Sequence, residues 1–105
     1  MTRDIYGVQG PTIAVARELV EAALQFRLVA HNGHYRGIDY CRLGHVGDEA
    51  FVLRRNYDEA EDAWVEPDFA HYPYVLYVTG TRRATELEAK LASVTMLLRR
   101  DRIER

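Results

Sequence analysis

Five side chains able to bind metal or carry protons fall within fifteen residues: His31, His34, Asp39, Cys41 and His45, in the run HNGHYRGIDYCRLGH. A zinc site needs three or four such ligands converging at tetrahedral angles. No CxxC or HExxH spacing supplies that convergence, and residues three apart on a strand face opposite ways. His31 and His34 meet only if the Asn32-Gly33 turn folds them together. Cys41 and His45, with Asp39 or Asp48 behind the imidazole, contain the parts of a thiolate pair but no family signature around the cysteine. A lone Cys in IDYCRL is more simply a small core residue. His34, Tyr35, Arg36 and Asp39 hold the groups for general acid–base cleavage of a phosphodiester, Arg36 neutralising phosphate and His34 moving protons. Imidazoles around a hairpin explain the same residues without chemistry. No GxGxxG or GxxxxGK[ST] loop occurs, which excludes the usual nucleotide-phosphate cradles. Neither a cofactor nor a metal is expected.

A second cluster has a different character. Asp58–Pro73 (DEAEDAWVEPDFAHYP) holds Asp58, Glu59, Glu61, Asp62, Glu66 and Asp68, with no Lys or Arg, and the chain's only Trp. Glu61, Asp62, Trp64, Glu66, Asp68, Phe69 and Tyr72 are the candidate partner-binding residues. Aromatic anchors carry a large share of interface energy, and complementary charge raises on-rate and selectivity. The competing reading is a surface excursion whose Trp64 and Phe69 tuck against the domain's own edge.

Charge sharpens the contrast. The 105 residues carry a formal −2, yet segment 58–73 alone sums to −6 and the remainder to +4. Six of the fourteen basic residues come as pairs, Arg54-Arg55, Arg82-Arg83 and Arg99-Arg100. Such a dipolar surface suits a charged, oriented partner or folds onto itself. Nucleic acid is disfavoured by the sequence pI of about 6.1 and the absence of an RNP1-type aromatic motif. No apolar run approaches the roughly 18 residues of a membrane span. The N-terminal MTRDIYG lacks the apolar core of a secretory signal, so a cytoplasmic protein is expected. The single Cys41 excludes an internal disulfide, in keeping with that compartment.

The elements that must position these residues fit one α+β domain over 1–105. Asp4–Val8 reads as a strand ended by Gly10-Pro11. Thr12 is the candidate N-cap of a helix over Thr12–Gln25, with Ile13, Ala16, Leu19, Val20, Ala23 and Leu24 at helical spacing. Phe26–Ala30 and Ile38–Leu43 read as strands around Asn32-Gly33, and Ala50–Tyr57 as another. A helical turn near Ala60–Trp64 would shorten the acidic loop, since sixteen structureless residues are long for a compact domain. Tyr74–Gly80 is apolar at nearly every position, as in a strand covered on both faces. A second helix follows, with Ala84, Leu87, Leu91 and Val94 inward. The run VTMLL then reads as a strand. Together these predict a two-layer sandwich: a mostly antiparallel sheet with two helices on one face, in a ferredoxin-like (βαββαβ) plan carrying an extra hairpin.

The runs YRGIDYCR (Tyr35–Arg42), RNYD (Arg55–Asp58), EPDF (Glu66–Phe69) and YPYVLYVTGT (Tyr72–Thr81) resemble those of small bacterial single-domain proteins. None is specific to a reaction, so no catalytic residue carries over. In size, acidic surface and single-domain build the chain is also similar to the immunity proteins of bacterial toxin systems such as contact-dependent inhibition. That likeness implies binding to one cognate toxin domain, often a basic nuclease, and occlusion of its active site.

The expectation is therefore a non-enzymatic protein-binding module whose acidic, aromatic loop meets a basic partner. The alternative is a small enzyme or ligand-binding domain, nuclease-like or metal-binding, using His31–His45. A homo-oligomer formed through sheet edges is compatible with either.

Overall fold

The computed structural model describes residues 1–33, 37–43 and 47–103. Among them lie a six-stranded antiparallel sheet and two α-helices. The chain runs β1 (Thr2–Val8), α1 (Ile13–Leu24), β2 (Val29–Gly33), β3 (Gly37–Leu43) and β4 (Ala50–Arg55). A small ribbon, β5 (Tyr57–Asp58) and β6 (Ala63–Trp64), precedes a single 3-10 turn at Pro67–Phe69. Then follow β7 (Tyr74–Thr81), α2 (Ala84–Leu91) and β8 (Thr95–Arg102). The sheet order is β2-β3-β4-β7-β1-β8, every neighbouring pair antiparallel. The mostly antiparallel sheet with two helices agrees with the expectation, while the strand order departs from the ferredoxin-like plan, β2 and β3 lying at one edge.

Local chemistry sets the helix limits. Thr12 is extended (φ −142°), and its Oγ1 accepts from the Val15 N–H at 3.2 Å. This satisfies one of the N–H groups left free at a helix start. At the other end Gln25 takes a left-handed conformation (φ 63°) and its N–H returns to the Glu21 carbonyl at 2.8 Å. The Glu21 carboxylate then catches the Leu28 N–H at 2.8 Å, which aims the chain into β2. α2 stops before Val94, whose N–H turns back to the Leu91 carbonyl at 3.1 Å. The Thr95 hydroxyl donates to that carbonyl at 2.8 Å. Val94 thus lies in the turn rather than on the helix stripe, and Thr95 opens the strand expected there.

One sheet face carries the main core. Tyr6, Val8, Tyr40, Phe51, Leu53, Tyr74, Leu76 and Val78 pack against Ala16, Val20 and Leu24 of α1 and Leu87 and Leu91 of α2. Each such aliphatic or aromatic side chain contributes roughly 1.5–3 kcal/mol by leaving water. Buried ion pairs rivet the margins. Arg100 grips Asp4 with two bonds of 3.0 and 2.9 Å and reaches Glu88 at 3.1 Å, joining β8, β1 and α2. Arg83 grips Glu49 at 3.0 and 2.7 Å, and the Thr81 hydroxyl donates to the same carboxylate at 2.7 Å.

The opposite face also holds buried apolar residues, Ile5 and Val75. The segment between β4 and β7 reaches this face through Tyr72, beside Gly7, and Glu66, on Tyr77. Its Tyr72 ring sits so close to β1 that a Cβ on Gly7 would lie 2.5 Å from a ring carbon. Only glycine fits there. The acidic segment is therefore a partial third layer, and β7 is buried on both faces in its first half, Tyr74–Leu76.

Candidate protein-binding surface

Asn56, immediately after β4, organises the acidic segment. It is fully buried and uses every polar group it has. Its N–H donates to the Pro73 carbonyl at 2.9 Å and its carbonyl accepts from Val65 N–H at 2.6 Å. Its side-chain amide donates to the carbonyls of Phe69 and Tyr72, both at 2.9 Å, while Oδ1 accepts from Glu66 N–H at 2.8 Å. One residue thereby fixes five backbone points of the segment. Gln9, just after β1, adds a bond to the His71 carbonyl at 3.3 Å.

The helical turn expected at Ala60–Trp64 is absent. Asp58 Oδ1 accepts from the N–H groups of Ala60 and Glu61 at 3.0 and 3.3 Å, bending the chain back at once. Asp62 completes the reversal at φ 50°, and Ala63–Trp64 pairs with Tyr57–Asp58 as a ribbon. Short Asp side chains compete with helix in this way by bonding nearby backbone. The helical turn falls instead at Pro67–Phe69, where proline's fixed φ suits a first helical position.

The candidate residues divide by direction. Glu61 and Asp68 are exposed and form no ion pair among the described residues. Asp62 is exposed and accepts from the Tyr57 hydroxyl. Trp64 is 40% exposed, its ring edge-on to Tyr57 at 5.3 Å. Glu66 turns inward: its Oε1 accepts from the Tyr77 hydroxyl at 2.7 Å, tying the segment to β7. Phe69 is half-buried and Tyr72 fills the space above Gly7. Glu61, Asp62, Trp64 and Asp68 are thus the outward residues of a segment based on Asn56, Glu66, Phe69 and Tyr72.

Self-neutralisation is partial. Within the segment, Asp58 lies 3.9 Å from Arg54 and Glu59 3.5 Å from Arg55, each four residues on. Arg83 and Arg100 are committed to Glu49 and Asp4, buried acids outside the segment. Glu61, Asp62, Glu66 and Asp68 form no ion pair among the described residues.

Of the histidine-rich segment, His34, Tyr35, Arg36 and His45 lie outside the described residues. His31 is exposed on β2 opposite Asp39, and Cys41 is half-buried on β3. Among the described residues no group of three or more His, Cys, Asp or Glu is placed to hold a metal ion. Nor is any described helix long and apolar enough to cross a membrane.

Compared with family models, curated proteins and solved structures, the chain matches none.

Proposed function

We propose that the protein is a binding module for a basic protein partner, which it engages through Glu61, Asp62, Trp64 and Asp68. The observation that carries this reading is a half-exposed tryptophan beside carboxylates that form no ion pair among the described residues, on a segment already fixed by Asn56. Holding the segment before contact removes much of the ordering cost that a free loop would meet on binding. Trp64 supplies the apolar anchor and the carboxylates supply charge complementarity. In its particular form, the partner is a bacterial toxin domain and the protein its immunity factor, acting by covering the active site without chemistry. We also read β4, β7, β1 and β8 with α1 and α2 as a ferredoxin-like core, extended at its edge by β2 and β3. Alternating strand direction along that set supports the reading.

The test is whether a neighbouring gene encodes a basic protein that associates with this one. Binding that weakens with salt and is lost on charge reversal at Glu61 and Asp68 supports the proposal. Binding indifferent to both changes sinks it.

A further inference from the structure

The half of the outer sheet face left open by the acidic segment holds a shallow depression of about 290 Å³, lined by Arg3, Val52, Arg54, Tyr77 and Thr79. Register explains how these residues meet. Arg3 pairs with Thr79 across β1 and β7, and Val52 pairs with Tyr77 across β4 and β7. All therefore project from one side of three adjacent strands.

The two guanidiniums are differently placed, and neither is fully engaged. Arg3 lies over the Tyr77 ring at 5.6 Å, within cation–π range, and makes no hydrogen bond or ion pair among the described residues. Its cross-strand neighbour Asp101 is engaged by Arg99 at 3.6 Å. Arg54 has a side chain only 12% exposed, yet its nearest carboxylate oxygen, on Asp58, is 3.9 Å away. Its one hydrogen bond, to the Arg55 carbonyl, is long at 3.4 Å. Burial and then the bond to Glu66 hold the Tyr77 phenol well above its usual range, while Arg54 and Arg3 both pull it down. Both cations therefore act on the same ring. Two guanidiniums with donors to spare, beside the Thr79 hydroxyl and an apolar floor, match an oxyanion attached to a small apolar group, although the Tyr77 hydroxyl itself is donated to Glu66.

We propose that this depression is a binding site for a carboxylate- or phosphate-bearing ligand, held between Arg3 and Arg54 with its apolar part on Val52 and Tyr77. The Thr79 hydroxyl supplies a further donor. The site is separate from the outward carboxylates of the acidic segment and stands whether or not a protein partner binds there.

The experiment is an NMR titration of the full chain with inorganic phosphate and, separately, with acetate, following the Arg3 and Arg54 Nε–H and Thr79 N–H signals. Saturable shifts at all three are expected, and the tighter of the two anions identifies the ligand's charged group. Arg3→Gln, at an exposed position that leaves the core intact, should weaken binding about tenfold, the loss of one charge-assisted contact. Absence of saturation with both anions overturns the proposal, as do equal affinities in wild type and Arg3→Gln. Arg54→Lys is the second variant: it keeps the charge near Asp58 but removes the planar fork, and it should also bind more weakly.

Discussion

Asn56 Oδ1 accepts the backbone N–H of Glu66 at 2.8 Å, and the Glu66 side chain accepts the Tyr77 hydroxyl at 2.7 Å. This short relay, from the end of β4 through the acidic segment to β7, holds the segment flat on the sheet. Asn56→Ala would strand the Phe69 and Tyr72 carbonyls and the Glu66 N–H. At about 1 kcal/mol for each lost bond, a destabilisation of about 3 kcal/mol is expected. Urea unfolding measures that loss, and limited proteolysis should show new cleavage within 57–73. A variant equally stable and equally resistant would remove Asn56 from its organising role.

Gly7 and Tyr72 test the same contact from the other side. A methyl group at position 7 would meet the base of the Tyr72 ring, where the side chain has little freedom to yield. Gly7→Ala should cost about 1–3 kcal/mol through overpacking. Combining it with Tyr72→Ala should cost less than the sum of the two single changes, because the second removes the obstacle. Additive losses in thermal unfolding would mean that the two residues do not meet.

The Asp4–Arg100 pair should be costly to break and cheap to replace. Asp4 is fully buried, so Arg100→Met leaves an uncompensated carboxylate beside Tyr6 and is expected to destabilise by about 3–5 kcal/mol. Asp4→Leu combined with Arg100→Met should recover most of that loss. Denaturant melts of the single and double variants decide the matter. A double variant no better than Arg100→Met would show that the pair contributes more than mutual neutralisation.

Alkaline pH reports on buried phenols. The Tyr6 pKa is pushed up to about 12, chiefly by burial and then by the charge of Asp4. In the unfolded chain tyrosine ionises near ~10. Because the folded value is the higher one, this stabilisation is complete below about pH 10 and is lost as the pH rises through about 12, amounting to about 2–3 kcal/mol. Tyr77 shifts the same way, by burial and its bond to Glu66. Unfolding free energy should therefore fall steeply above about pH 10, and Tyr6→Phe should flatten the fall. An unchanged slope in Tyr6→Phe would contradict the assignment.

The sequence exposes these relationships unevenly. Helix α1 is legible because Thr12 and the Ile13–Leu24 periodicity are local signals, as is the apolar run of β7. The β8 strand is less legible: Leu87, Leu91, Val94 and Leu98 would also continue a helix, and only β-branching at Val94-Thr95 and the completed α+β order favour the strand. Asn56 gives no such signal, since its partners are backbone atoms ten to sixteen residues away. Asp4 and Glu49 read as surface charges until folding brings Arg100 and Arg83 onto them. The acidic segment's bulk composition suggests a single interaction surface, whereas the fold divides it. Glu66 and Tyr72 face the sheet; Glu61, Trp64 and Asp68 face away. Composition cannot make that division, because it depends on the Asp58 turn and on which backbone groups Asn56 captures.

The outward face is most directly tested by comparing two baits at low ionic strength: the wild-type protein and a Glu61→Lys, Trp64→Ala, Asp68→Lys variant with verified fold. On this proposal a basic protein encoded by a neighbouring gene binds the wild type, is released by salt, and fails to bind the variant. Equal retention by both baits, or none by the wild type, would contradict a role for this face in partner binding.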